Sequence, residues 1–166
     1  MEQGITGREY RITDINEIKR ILDSTKIVHV GMVDEDGPYV VPLNYGYVME
    51  DDQLVLYVHG SVKGRKIDAM RNNPDVFIEI TSDVQQFEGK LACQYGTSYY
   101  CVMGKGKAEI LEDVEDKKSG LSIFMKSHTG KDFEFNEKMV SMVSVIRITV
   151  PNYTAKHRPM PKTPTV

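Results

Sequence analysis

Hydrophobic positions along the chain recur with two periods. Near the start, Ile15, Ile18, Ile21 and Leu22 return at helical spacing, and Thr13 ahead of them is a fitting N-cap. From residue 26 the period shortens. KIVHVGMV (26–33), YVVPLNYGYV (39–48) and LVLYV (54–58) read as strands, separated by the turns DEDGP and MEDDQ. LVLYV runs straight into HGSVKGRKIDAM. There Val62, Ile67 and Met70 form one face of a helix over about 62–72, with Ser61 as its cap. Asn73-Pro74 stops that helix, and DVFIEITS (75–82) is a fourth strand. Residues 83–96 show no settled period. SYYCVMGKGKAEIL (98–111) is a long strand bent at Gly104 or Gly106. Residues 113–128 read as a helix with Leu121, Phe124 and Met125 inward, and SVIRITV (144–150) as the last strand.

The pattern therefore predicts a mainly β protein with inserted helices. Short turns between neighbouring strands imply antiparallel pairing. Closure into a small barrel is the economical arrangement, because it removes exposed edges. Residues 1–150 read as a single domain. The tail 151–166 holds four prolines and no periodicity, so it is expected outside that domain. Pro42 cannot donate to a ladder, so it belongs where its strand has an edge. It shares a strand with Asn44 and Tyr45, which could face a ligand.

Composition adds little except by exclusion. A chain of 166 residues that is 40% hydrophobic and 27% charged fits one soluble globular domain. Net charge −3 and a pI near 5.8 argue against nucleic acid as the main partner. MEQGITGREY lacks the apolar core of a signal peptide, and no run reaches the about 20 apolar residues of a membrane span. Cys93 and Cys101 are too few for a disulfide framework and wrongly spaced for CxxC chemistry, so a reducing cytoplasm is the expected home. His29, His59, His128 and His157 match no metal-binding spacing, and no metal is expected.

The chemistry concentrates in HGSVKGRKIDAM. Lys63, Arg65 and Lys66 crowd the start of the predicted helix, where cations are disfavoured by the dipole. A bound phosphate would offset that cost, and Gly60 and Gly64 would let backbone come close to it. A solvated basic turn is the plain alternative. The segment is not a P-loop: three residues separate its glycines, and Arg65-Lys66-Ile67 follows. GKGKAE (104–109) lacks the third glycine of a dinucleotide fingerprint and opens no helix.

VVPLNYGYV, LVLYVHGSVKGRKIDAMRNNPDV, ACQYGTSYYCVMGKGKAEIL and SVIRITVPNYTAKH, in that order, resemble the pyridoxamine-5′-phosphate-oxidase-related split barrels, and most of all the 5-nitroimidazole-resistance flavoproteins. The likeness runs from about residue 8 to about 158. It implies a six-stranded antiparallel split β-barrel that forms a homodimer and binds FMN at the subunit interface, with FAD as the alternative flavin. Carried over by position, Val41, Pro42, Leu43, Asn44 and Tyr45 would line the isoalloxazine and ribityl chain. Tyr57, Val58, His59 and Gly60 would pass close to ring and phosphate, and Ser61, Arg65 and Lys66 would hold the phosphate. The strand at 98–104, with Cys101, would complete the pocket from the partner subunit. Two positions depart from the family pattern. Tyr100-Cys101 stands where relatives have Arg-Ser, and Ala155 stands where many have glycine.

The bland role of His59 is to close a strand by a backbone hydrogen bond; the sharper one is catalysis at the flavin. Tyr45, Tyr47 and Tyr57 suit strands without any ligand. Cys101 reads as a small apolar residue rather than a nucleophile. No acid–base dyad stands out, as expected where a flavin carries the redox chemistry. The resemblance thus implies an FMN-dependent oxidoreductase that takes electrons from a donor such as reduced nicotinamide. Their acceptor would be a small molecule such as a nitroimidazole or another nitroaromatic. The alternatives are an FMN carrier or sensor without turnover, a pyridoxamine-phosphate-oxidase-like oxidase, and a barrel that binds an anionic partner.

Overall fold

A computed structural model describes residues 9–50 and 53–161. The elements in chain order are β1 (Tyr10–Ile12), α1 (Ile15–Ser24), β2 (Ile27–Asp34), β3 (Gly37–Glu50), β4 (Gln53–Gly60), α2 (Arg65–Asn72) and β5 (Asp75–Phe87). A 3-10 turn at Ala92–Gln94 precedes β6 (Gly96–Ile110), α3 (Val114–Thr129), α4 (Glu137–Ser141) and β7 (Ser144–Arg158). The strands join in the order β1-β7-β4-β3-β2-β5-β6, and β6 pairs with β7 as well. The sheet is mainly antiparallel and carries helices, in keeping with the expected fold class. It has seven strands rather than six. The additional one is β1, three residues long and too short to show a period. The expected signal-free start, MEQGITGR, and the tip of the MEDDQ turn at 51–52 lie outside the described residues.

The chain divides into two compact units. One takes the chain up to Thr25, Ile80–Met103 and the chain from Thr154 onward. The other takes Lys26–Glu79 and Gly104–Tyr153.

In the larger unit, β2 and β3 form a hairpin in register from Ile27↔Asn44 to Asp34↔Gly37. The second half of β3 pairs with β4 from Tyr45↔Val58, and β4 pairs with β7 from Leu54↔Val150 to Gly60↔Ser144. The unbroken apolar run of β4 has a direct cause. Leu54, Leu56 and Val58 point to one buried face, while Val55 and Tyr57 point to the other. Val55 and Tyr57 pack in a cluster with Leu111, Leu121, Val140 and Val145. α3 starts on Asp113, whose carboxylate accepts from the backbone N–H groups of Glu115 and Asp116. It presents Leu121 and Phe124 inward as the spacing predicts, with Met125 half-buried.

Pro42 meets the expectation placed on it. Residues 37–44 of β3 pair with β2, and among the described residues no strand lies on their other edge.

In the smaller unit, β1 pairs with the end of β7, Tyr10↔His157 to Ile12↔Ala155. The last strand therefore continues past Val150, through Pro151, to Arg158. Ala155 sits in this extended ladder, so the alanine meets no left-handed turn. The Lys156 ammonium and the Tyr99 hydroxyl both reach the buried carboxylate of Glu9, at 3.0 and 2.5 Å. That hydrogen bond and burial push the Tyr99 phenol up to about 12. α1 is capped by Asp14, one residue beyond the expected Thr13, because the Asp14 side chain accepts from the Asn16 N–H at 2.8 Å. No helix among the described residues is long and apolar enough to cross a membrane.

Candidate flavin site

The segment that the sequence singles out, 59–70, joins β4 to α2, and it lies in the larger unit together with residues 41–45 of β3. α2 begins at Arg65 rather than near Val62. Gly64 is its N-cap, with φ 132° and ψ 165°, a conformation open to glycine and strained for other residues. Ser61 is thereby left outside the helix. Its Oγ accepts a long 3.5 Å contact from the Lys63 N–H, and Val62 is 43% exposed instead of helping to form a buried face. Ile67, Ala69 and Met70 anchor the helix in the core.

The three cations do not act alike. The Arg65 guanidinium is committed to the β2–β3 turn: Nε and Nη2 donate to the Asp34 carboxylate at 2.6 and 3.0 Å, and the plane lies over Tyr39 at 4.3 Å. The pairing holds Asp34 below the usual carboxylate range and raises Arg65 further. Lys66 turns the other way. A Cβ on Gly60 would stand 2.8 Å from its Cε and 3.0 Å from its Nζ, so the lysine lies against bare backbone at the end of β4. Among the described residues no carboxylate pairs with Lys66.

His59 stands beside this glycine. Its Nδ1 is buried and has no hydrogen-bond partner among the described residues. Such an atom needs an explanation, since buried polar groups are nearly always satisfied. Its ring meets Phe124 edge-on at 4.5 Å, and Phe124 stacks on His128 at 4.4 Å. His128 Nε2 is 3.1 Å from the Tyr45 carbonyl and donates to it. Burial first, then the neighbouring His128 and Lys66, push His59 below the ordinary imidazole range. Neutral imidazole is therefore its resting form at pH 7.

The remaining expected residues divide. Val58 and Tyr57 are core, and so is Tyr45 at 1% exposure, next to Val58 in the ladder. Asn44 and His59 are each one residue past that last β3–β4 pair, so the register brings them to the same end. The Asn44 amide donates to the Lys26 carbonyl at 3.2 Å. Pro42 and Asn44 are exposed, and Val41 and Leu43 are half-buried. Cys101 is buried on β6 and belongs to the smaller unit.

The sequence places Phe124 inward but shows no partner for it. His128 follows it by four residues, one helical turn, and that spacing was the available signal. No sequence pattern marks Gly46: a Cβ there would stand 2.5 Å from the Phe124 Cα, so glycine lets α3 seat its phenyl against β3.

A buried imidazole nitrogen and an ammonium without partners among the described residues, set beside a glycine cradle, fit a ligand with a polar ring edge and an anionic end. FMN has both.

Residues 14–157 match the family model for pyridoxamine 5′-phosphate oxidase. Among solved structures, a candidate 5-nitroimidazole antibiotic resistance protein from Bacteroides thetaiotaomicron is 32% identical, with a TM-score of 0.76 over 93% of this chain and 89% of that one. The flavocytochrome Anf3 from Azotobacter vinelandii is 24% identical, with a TM-score of 0.73 over 91% and 70%. An FAD and heme binding protein from Mycobacterium smegmatis is 17% identical, with a TM-score of 0.77 over 90% and 74%; both of these likenesses speak for the fold alone. No curated protein matches the sequence. The family model spans all but the ends of the chain, and the chain belongs to the pyridoxamine 5′-phosphate oxidase family.

Proposed function

We propose that the protein binds FMN at the His59–Lys66 segment and works as a flavin-dependent oxidoreductase on a small acceptor, a nitroimidazole or related nitroaromatic. The observation that carries this reading is the buried Nδ1 of His59, without a partner among the described residues, beside Gly60 and the Lys66 ammonium. The 32% identity to a candidate 5-nitroimidazole resistance protein supports the choice of acceptor.

When bound, FMN supplies two-electron transfer from a donor such as reduced nicotinamide to the acceptor. The chain does the rest. Lys66 holds the phosphate, aided by the open backbone of Gly60, and Lys63 lies close by on the exposed loop. Arg65 is paired with Asp34 and stabilises the turn below, so Lys66 carries the larger share of the phosphate contact in this reading. His59, resting neutral, offers one hydrogen bond through Nδ1 and takes up or returns a proton there. An anion drawn close to it would raise its pKa again.

A second copy of the chain completes the site in this reading. Ile27, Val33, Val40 and Phe77 are 37–60% exposed. The strand register places them on one face of β2, β3 and β5 together with Pro42 and Asn44. Covering that face with a homodimer interface of roughly 2,000 Å² or more would bury the apolar patch and wall in the flavin at once.

The test is turnover. The FMN-loaded protein should oxidise reduced nicotinamide with a 5-nitroimidazole as acceptor. His59→Ala should keep FMN and lose at least tenfold in rate, a threshold set below the acid–base contributions of about 10²–10⁴-fold. A loaded parent protein with no turnover would leave a flavin carrier. A variant as fast as the parent would remove His59 from the chemistry.

A further inference from the structure

The smaller unit holds a cavity of its own, about 620 Å³ and open to solvent. It shares no residue with the His59–Lys66 segment. Three aromatic rings, Tyr10, Phe87 and Tyr95, line it, together with Met160, His157 and Arg158. Tyr10 and Tyr95 are 64% and 54% exposed. Rings of that size left bare around one opening are unusual for a surface that binds nothing.

The polar side of the cavity is built. The Arg158 guanidinium lies over the Phe87 ring at 5.7 Å. Gly96 makes the room for both: a Cβ there would stand 2.5 Å from Phe87 Cζ and 2.8 Å from Arg158 Nη2. Among the described residues no carboxylate pairs with Arg158, and no Asp or Glu lines the cavity. The Gln94 Oε1 accepts from the Leu91 N–H at 3.0 Å, which leaves its amide NH₂ to donate. His157 stacks flat on Tyr100 at 3.8 Å, and burial holds it below the ordinary imidazole range. One fixed positive charge therefore faces an apolar, aromatic-walled space.

We infer that this cavity is a binding site for a planar aromatic carboxylate, its ring against Tyr10 and Tyr95 and its carboxylate on Arg158 and Gln94. An arginine matches a carboxylate in plane with two donors, and its hold on Phe87 fixes the fork before any ligand arrives.

The test uses the full chain and three small probes of equal ring size: 2-naphthoate, 2-naphthamide and 2-naphthylmethylammonium. Amide and side-chain NMR shifts give both affinity and location. The expected result is that 2-naphthoate binds at least tenfold more tightly than 2-naphthylmethylammonium and shifts Tyr10 and Tyr95. Arg158→Met, which keeps an apolar stem, should weaken 2-naphthoate at least tenfold and leave 2-naphthamide within about twofold. Equal binding of carboxylate and ammonium overturns the inference, as does unchanged 2-naphthoate binding by the variant or a shift pattern away from this cavity. Should Arg158→Met fail to fold, the comparison of the two charged probes on the parent protein decides alone.

Discussion

The Lys66 side chain rests on the bare backbone of Gly60, with Nζ 3.0 Å and Cε 2.8 Å from where a Cβ would stand. A lysine so placed, with no carboxylate partner among the described residues, is held by shape rather than by charge. The charge remains available for an anion.

Gly60→Ala should therefore move an ammonium without breaking a fold. The atoms in the way are the far end of a flexible side chain, so the change should cost under about 1 kcal/mol in denaturant unfolding. It should nonetheless weaken FMN more than riboflavin, since only the phosphate feels the displaced charge. Equal weakening of both flavins would place the phosphate elsewhere.

Gly46→Ala should behave in the opposite way. The clash is with the Phe124 Cα at 2.5 Å and the Ile123 carbonyl oxygen at 2.8 Å, both backbone, so α3 itself must shift. Overpacking of this kind costs about 1–3 kcal/mol. Urea unfolding should show the loss, and the NMR signals of His59 should move with Phe124. A variant as stable as the parent would mean that α3 is not seated on Gly46.

The depressed pKa of His59 gives a signed pH dependence. Its folded value lies below the ordinary 6.5, so between the two the unfolded chain binds more protons. The stability contribution of neutral His59 is complete above about 6.5 and is lost as pH falls through the folded value. His157, lowered chiefly by its own burial, adds a loss in the same window. Urea unfolding from pH 7.5 to 5 should show falling stability. His59→Gln should flatten the fall in part and leave the His157 share. A slope unchanged by His59→Gln would mean that His59 titrates as it does in the unfolded chain.

How much of the fold and site was legible depended on range. β2, β4 and β5 could be read because their apolar runs record burial residue by residue. The end of β7 could not: PNYTAKHR is polar and opens with proline, and it is a strand because β1 pairs with it. α2 starts later than its side-chain pattern implies for a backbone reason, the positive φ of Gly64, which no side-chain pattern reports. Adjacency groups Arg65 with Lys66, yet the Arg65 partner Asp34 is 31 positions away. Gly60 and His59 are legible because the His-Gly pair ends a readable strand. Their chemistry, a buried nitrogen without a partner, is a property of packing alone.

In the proposed function, Lys66 and Gly60 hold the phosphate of FMN. Parallel equilibrium titrations of the flavin-free parent and Lys66→Ala with FMN and with riboflavin test it most directly. The parent should bind FMN more tightly than riboflavin. Lys66→Ala should lose about tenfold to over a hundredfold in FMN affinity, the worth of one charge-assisted contact of about 1.5–3 kcal/mol, while riboflavin changes by less than about twofold. A parent that binds neither flavin, or a variant that loses FMN and riboflavin alike, would contradict the account.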